Sequence, residues 1–124
     1  MLQTRSMLNV ADNTGAMKIQ LIGIPKKGNR KIAYLGEVFT GAIKQAAPHS
    51  QVKSGEIVRA VIVRSRKEVK RKDGSYIRFD ENACVVLAGD DTQEPRGTRI
   101  FGPIAKEIKD AGYAKIASLA PEIY

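Results

Sequence analysis

The chain is 124 residues long, a length typical of one small domain, and its 21 Lys and Arg against 13 Asp and Glu give a formal net charge of +8. A surplus of this size indicates an anionic partner, most often nucleic acid. The single cysteine, Cys84, excludes an internal disulfide and fits a reducing compartment. No apolar run has the length of a signal peptide or a membrane span, so we expect no membrane partner.

The positive charge has two sources. Residues 1–62 carry 9 basic and 3 acidic side chains, which makes the first half diffusely basic. Residues 64–78 set seven basic side chains against only Glu68 and Asp73. The seven are Arg64, Arg66, Lys67, Lys70, Arg71, Lys72 and Arg78. A charge run is often no more than a solvated face, and that alternative stays open for the segment taken alone.

Short apolar runs rich in β-branched residues alternate with turn signals along the first three quarters of the chain. The turn signals are residues 12–15, 27–29 and 53–55. The predicted strands are residues 19–24, 37–43, 56–64 and 83–89. Strands at this short spacing predict a mainly β fold, a small barrel or a sandwich, in a single domain of residues 1–124.

A hairpin is predicted around Asp73-Gly74, because this dipeptide suits a type I′ turn. Residues 64–72 would pair with residues 75–80. The first arm is too polar to bury, so the hairpin should project from the barrel or lie on its surface. Like charges facing each other across a hairpin destabilise it, unless phosphates neutralise them.

The C-terminal part has helical spacing. Ile104, Ala105 and Ile108 would lie on one face, with Pro103 near the helix start and Gly112 just past its end. The segment "AKIASLAPE" predicts a second short helix that ends before Pro121.

No combination of residues predicts an enzyme. His49, the one histidine, lies in a predicted loop and is expected at the surface, without partners at metal-ligand spacing. Cys84 lies in an apolar strand and is expected to be buried and inert. The segment "GTRIFG", residues 97–102, lacks the Lys and Ser or Thr of a phosphate-binding loop. We therefore expect neither a cofactor nor a metal.

Aromatic residues bear on the mode of nucleic-acid binding, because single-strand binders stack bases on several exposed rings. Tyr34, Phe39, Phe79 and Phe101 have apolar neighbours and are predicted to belong to the core, which leaves Tyr76 alone among the basic residues. This favours recognition of a folded nucleic-acid shape through its backbone. The alternative function is a free-standing barrel-fold RNA chaperone or single-strand nucleic-acid binder.

Three ordered blocks then carry a resemblance to a known family. They are "MLNVADNTGA" (residues 7–16), "AVIVRSRKEVKRKDGSYIRFDENACVV" (residues 60–86), and "GTRIFGPIAKEI" with "KIASLAPE" (residues 97–108 and 115–122). The chain resembles the universal family of large-subunit ribosomal protein fourteen, in its bacterial or organellar form, over essentially its whole length.

The resemblance implies a five-stranded barrel, a projecting β-ribbon at about residues 64–80 and short C-terminal helices at about residues 103–121. It implies a structural protein bound to large-subunit rRNA in a bacterial cytoplasmic or an organellar ribosome, at the face that meets the small subunit. Small-subunit rRNA at an intersubunit bridge and large-subunit proteins three and nineteen are the implied neighbours. A ribosome-silencing factor is a further implied partner, and its contacts map onto Thr98, Arg99 and Lys115.

The rRNA-binding residues are predicted from charge and position. They are Lys44, Lys53, Arg64, Arg66, Lys67, Lys70, Arg71, Lys72 and Arg78.

Overall fold

A computed structural model of the protein describes residues 2–25, 32–89 and 92–124. The strands and helices are β1 (Leu2–Gln3), β2 (Met7–Val10), β3 (Ala16–Gly23), β4 (Ile32–Ala33), β5 (Val38–Ala46), β6 (Ile57–Arg64), β7 (Val69–Lys70), β8 (Tyr76–Ile77), β9 (Ala83–Val86), α1 (Lys106–Asp110) and α2 (Ala114–Leu119). The turn predicted at residues 27–29 lies outside the described residues. Within the three described ranges, no helix is long and apolar enough to cross a membrane.

Five strands close into a barrel in the order β2, β3, β5, β6, β9. Neighbouring strands are antiparallel except at the closing seam, where β2 runs parallel to β9 with Asn9 opposite Ala83 and Val10 opposite Cys84. A parallel pair needs a long connection, and here most of the barrel lies between its two strands. The structure confirms the predicted mainly β class and decides for the barrel over the sandwich.

The barrel interior is filled by side chains from alternate positions along the strands. Ile19, Phe39, Ile43 and Ile62 are fully buried there. Gly41 lies in β5 next to β3, and a Cβ at this position would stand 2.4 Å from the Ile19 side chain. A larger residue would force the two strands apart, so close packing requires a glycine at position 41.

The predicted strands correspond to β3, β5, β6 and β9, with boundaries shifted by a few residues. β9 is shorter than predicted because the chain leaves the barrel at Leu87, which forms an isolated bridge with Pro95. The hydrophobic pattern does not predict β2, which contains Asn9 and an exposed Met7. Pairing with β3 on one side and β9 on the other holds this segment extended.

The C-terminal segment forms the two predicted helices, but the first begins later than expected. α1 starts at Lys106 rather than near Pro103, because Ile104 is extended in a parallel bridge with Ile123. Gly112, with φ 99°, follows the end of α1 as predicted. α2 ends at Leu119, before Pro121, also as predicted.

α1 is fixed next to the end of β6. The Ala105 N–H at the helix start donates to the Val63 carbonyl at 3.1 Å, and Ile108 is fully buried in the core. The helix is therefore held against the barrel beside the end of β6, where the ribbon begins.

The strand pairing within the ribbon, residues 64–80, is shorter than predicted. Its strands β7 and β8 form a separate two-stranded sheet with two residue pairs, Val69 with Ile77 and Lys70 with Tyr76. Arg64 does not belong to this ladder, because β6 carries it into the barrel opposite Ala83 of β9. Val69, Ile77 and Phe79 pack against the core, so the base of the ribbon rests on the barrel.

The barrel wall accounts for Cys84, which is fully buried in β9, where burial raises the pKa of its thiol. We expect Cys84→Ala to lower the free energy of unfolding by about 1 kcal/mol, which is typical of a small core truncation. Assembly of the protein with the rRNA that the resemblance implies should be unaffected. Chemical denaturation measures the loss, and the native thiol should resist alkylation. Rapid labelling of the folded protein would contradict this placement.

Candidate nucleic-acid interface

The tip of the ribbon is a tight turn held by its own polar groups. The Gly74 N–H donates to the Arg71 carbonyl at 3.0 Å, and the Arg71 N–H donates to the Ser75 carbonyl at 2.8 Å. Asp73 Oδ1 accepts from the Ser75 N–H and hydroxyl, which lowers the pKa of Asp73. Gly74 has φ 90° whereas Asp73 is not left-handed, so the predicted type I′ turn is wrong. A turn of the ordinary hand followed by a left-handed glycine replaces it.

The exposed cations of the ribbon form one group. They are Arg66, Lys67, Lys70, Lys72 and Arg78. Only Lys67 has an acidic partner among the described residues, Glu68 at 3.2 Å, and both side chains are largely exposed. Such a pair is weak in water. The other four cations are therefore open to an anionic ligand.

The base of the ribbon holds two arginines close together. Arg66 and Arg78 line a shallow polar pocket of about 220 Å³ with Phe79 and Asp80. The backbone beneath the pocket is fixed, since the Arg66 N–H donates to Asn82 Oδ1 at 2.9 Å and the Phe79 N–H donates to the Ser65 carbonyl at 2.9 Å. Paired guanidinium groups on a fixed backbone suit phosphate oxygens.

Arg64, one of the predicted RNA-binding residues, is held inside the protein. It is buried, and its guanidinium donates to the carbonyls of Phe101 and Pro103 at 3.0 and 3.2 Å and to Glu81 at 2.9 Å. Burial lowers the pKa of Arg64, and the nearby Glu81 carboxylate opposes that shift. A Cβ on Gly102 would stand 2.2 Å from the guanidinium, so this loop closes directly over it. Charge counting cannot separate such an arginine from a surface one.

Arg71 is also engaged within the protein. Its guanidinium donates to both carboxylate oxygens of Glu107 on α1, at 2.9 and 3.2 Å, and to the Tyr124 carbonyl. Its side chain is only 16% exposed. The structure therefore separates Arg71 from the open cations of the ribbon.

Lys44 and Lys53 form a second basic group at the other end of β6. Both are exposed, and the connection between β5 and β6 brings their backbones together, because the Ser54 hydroxyl donates to the Lys44 carbonyl at 3.3 Å. The length of β6, roughly 23 Å at 3.3 Å per residue, separates this group from the ribbon. The predicted RNA-binding residues thus occupy two surfaces.

The loop carrying Thr98 and Arg99 is exposed and held by one side chain. Asn13 Oδ1 accepts from the N–H groups of Thr98 and Arg99 at 2.9 and 3.1 Å, and its amide donates to Thr98 Oγ1 at 2.9 Å. Gly97 fits against the same amide, since a Cβ there would stand 2.6 Å from Asn13 Oδ1. Lys115, on α2, pairs with Glu94 of the same segment at 3.1 Å. Thr98 and Arg99 thus lie in residues 94–99, and Lys115 contacts the same segment through Glu94.

Asp12 supports this loop and is not identified by the sequence analysis. The buried carboxylate accepts from the Thr14 N–H and hydroxyl at 3.1 and 2.7 Å and from the Val86 N–H at 2.9 Å. Burial raises the pKa of Asp12, and these hydrogen bonds oppose the rise. The turn signal at residues 12–15 indicates local hydrogen bonding, but nothing in the sequence indicates a partner in β9.

Two aromatic predictions are wrong. Phe39 is buried and Phe79 packs on the core, but Tyr34 and Phe101 are 41% and 49% exposed. Apolar neighbours in sequence do not fix the direction of a side chain in a loop. Phe101 stacks instead under Arg99, whose guanidinium carbon lies 5.8 Å from the ring centre.

A metal ion needs a set of donor side chains that lie close together. Among the described residues, no three of His, Cys, Asp and Glu come together where they could hold a metal ion. His49 is exposed in a loop, as predicted.

Comparisons with known proteins agree on one family. A model of the family described as Ribosomal protein L14p/L23e matches residues 1–124. The large ribosomal subunit protein uL14 of Aquifex aeolicus (strain VF5) is 56% identical over 123 residues, which cover 99% of both chains. The protein of the same name from Aquifex pyrophilus is 55% identical over 123 residues, again 99% of both chains.

The geometry around Arg64 predicts a stability role without an RNA role. Arg64→Gln leaves two carbonyls and Glu81 short of donors, so we expect unfolding to become easier by about 2 kcal/mol. The salt dependence of RNA binding by the folded variant should equal that of the parent protein. Thermal unfolding and a salt titration check the two parts. Unchanged stability together with a shallower salt slope would show that Arg64 contacts RNA.

Proposed function

Because this chain belongs to the Ribosomal protein L14p/L23e family, we propose that it is a structural constituent of the large ribosomal subunit that binds large-subunit rRNA through its ribbon. The family consists of structural ribosomal proteins, and the chain is not an enzyme. The observation that carries the proposal is the set of open cations on a backbone fixed to the barrel. Lys and Arg at such positions fix the register on an RNA backbone without reading its sequence.

Two further surfaces belong to the proposal. Lys44 and Lys53 form a second rRNA contact, and together with the ribbon they let the barrel bridge separate RNA segments. On the outer wall, Met7 and Ile57 end a row of paired positions across β2, β3, β5 and β6, and they are 44% and 65% exposed. Exposed apolar side chains in one row suit protein neighbours. The resemblance names these as large-subunit proteins three and nineteen.

The position in the ribosome is proposed from the resemblance. The chain lies at the face that meets the small subunit and contributes, with small-subunit rRNA, to an intersubunit bridge. The clamped loop at Thr98 and Arg99, with Lys115, docks a ribosome-silencing factor. Clamping by Asn13 supports this assignment, because a loop ordered in advance loses little conformational entropy on binding. A free-standing RNA chaperone is the weaker alternative, since relatives that match over their full length are named as ribosomal proteins.

The ribbon is tested by removing its open charges. With Arg66, Lys70, Lys72 and Arg78 all changed to Gln, binding to protein-free large-subunit rRNA should weaken. The slope of log affinity against log salt should fall by about 0.7–0.9 for each phosphate that the ribbon no longer neutralises. Filter binding over a salt series measures this slope, and circular dichroism checks that the barrel stays folded.

A matched control removes the same charge elsewhere. Lys70→Gln with Lys72→Gln should reduce the salt slope, whereas Lys18→Gln with Lys109→Gln, at exposed positions outside the ribbon, should leave it nearly unchanged. Equal reductions in both double variants would mean that net charge alone drives binding. That result would remove the ribbon from the proposal.

The partner loop is tested separately from RNA binding. Arg99→Ala with Lys115→Ala should leave the protein in large subunits on a sucrose gradient but abolish docking of purified silencing factor. The physical reason is that both side chains are exposed, and the Lys115–Glu94 ion pair is largely exposed and therefore weak. If the double variant fails to enter the subunit, these two residues serve rRNA and the partner assignment is wrong.

A further inference from the structure

Arg71 ties the tip of the ribbon to α1. Its guanidinium forms a fork on the Glu107 carboxylate, with Nη2 at 2.9 Å from Oε1 and Nε at 3.2 Å from Oε2. The same Nη2 donates to the Tyr124 carbonyl. These are the polar side-chain bonds that join the described tip to the helical segment, across a cleft of about 400 Å³.

The Arg71–Glu107 pair is shielded and well oriented. The two side chains are 16% and 24% exposed, compared with 55% and 44% for Lys67 and Glu68. A bidentate pair in this setting is stronger and more directional than an exposed one. Glu107 is itself firmly placed, because the next residue of α1, Ile108, is fully buried.

The ribbon needs an external support of this kind. Its ladder has two residue pairs, and an isolated two-stranded hairpin is marginally stable at best. Lys70 and Lys72, two residues apart on the same arm, add repulsion between like charges at this tip. Val69 and Ile77 anchor the base of the ribbon on the core, but the exposed tip beyond them has no such apolar anchor in the described part of the chain. Without a tether the tip and its cations Lys70 and Lys72 would sample several orientations, and binding would have to select one of them.

We propose that Arg71 and Glu107 are positioning residues for rRNA binding, which hold the ribbon in the orientation where its open cations meet phosphates. The inference rests on the function proposed above. It replaces the predicted phosphate contact of Arg71, because that guanidinium is engaged by Glu107. The acidic residue thereby promotes binding to a polyanion.

Glu107→Gln separates this role from simple electrostatics. The substitution removes a negative charge next to the ribbon, so electrostatics alone predicts tighter binding to RNA. The tether predicts the reverse. If the free ribbon occupies the competent orientation for about a tenth of the time, the Kd for protein-free large-subunit rRNA rises about tenfold. The salt slope stays the same, since the ribbon cations still meet the same phosphates.

Asp110→Asn is the matched control. Asp110 lies on the same helix, lines the same cleft and has no ion pair within the described part of the chain. Its substitution changes the net charge equally, and we expect unchanged or slightly tighter binding. Weaker binding for Glu107→Gln with no weakening for Asp110→Asn supports the tether. Equal or tighter binding for both variants overturns it.

Two measurements keep the inference testable whatever the first variant does. Hydrogen exchange should accelerate in Glu107→Gln at the amides of residues 69–77 while the barrel amides keep their protection, and unchanged exchange at the ribbon would contradict the tether. If Glu107→Gln does not fold, Arg71→Lys replaces it. Lysine keeps the charge but not the fork, so the tether predicts weaker binding with the parent salt slope, and a phosphate contact predicts parent-like binding. Failure of the parent protein to bind rRNA would instead refute the proposed function.

Discussion

Closure of the barrel between β2 and β9 is the constraint on which the candidate binding surfaces depend. Asn9 is central to this seam: its N–H donates to the Asn82 carbonyl at 3.0 Å and its side chain to Glu81 at 2.7 Å. Asn82 and Glu81 in turn hold the backbone of Arg66 and the guanidinium of Arg64. Asn82 and Glu81 therefore connect the closing seam to the residues from which the ribbon starts.

The same seam also supports the loop that carries Thr98 and Arg99. Asp12 follows β2, accepts from the Val86 N–H of β9 and pairs with Ile100 in an isolated bridge. Asn13, the next residue, clamps the loop at Thr98 and Arg99. One short segment thus connects barrel closure to the proposed protein-docking loop. Weakening the seam should disturb both surfaces together, whereas changes in exposed side chains should affect one at a time.

The charges of the molecule fall into two classes with different physics. Arg64 and Arg71 are paired inside the protein with Glu81 and Glu107, and each also donates to backbone carbonyls. Within the described ranges, the open cations of the ribbon form no ion pair of this kind, and they gain most from phosphates. Glu81 and Glu107 thus position Arg64 and Arg71. The net charge of the chain alone does not identify the residues of its binding surface.

Local patterns predicted what local physics determines. The β-branched runs predicted four barrel strands, Gly112 predicted the end of α1, and the apolar surroundings of Cys84 predicted its burial. Features set by distant contacts were missed. Asn9 is not a typical strand residue, so the sequence did not predict β2. This segment is extended because β3 and β9 pair with it.

The candidate site shows the same division. The density of basic residues located the ribbon, but it could not tell Arg64 and Arg71 from their open neighbours, since Phe101, Pro103 and Glu107 are 36 or more residues away in sequence. Exposure of aromatic rings was predicted poorly for the same reason. Membership of the family came from ordered motifs rather than from any single physical signal.

The most direct measurement of the central claim is a cryo-electron microscopy map of large ribosomal subunits that contain this chain. We predict phosphate oxygens at about 2.7–2.9 Å from side-chain nitrogens of the ribbon cations Arg66, Lys70, Lys72 and Arg78, with Arg71 still bound to Glu107. A ribbon that faces solvent, or an Arg71 that has left Glu107 for a phosphate, would contradict the account.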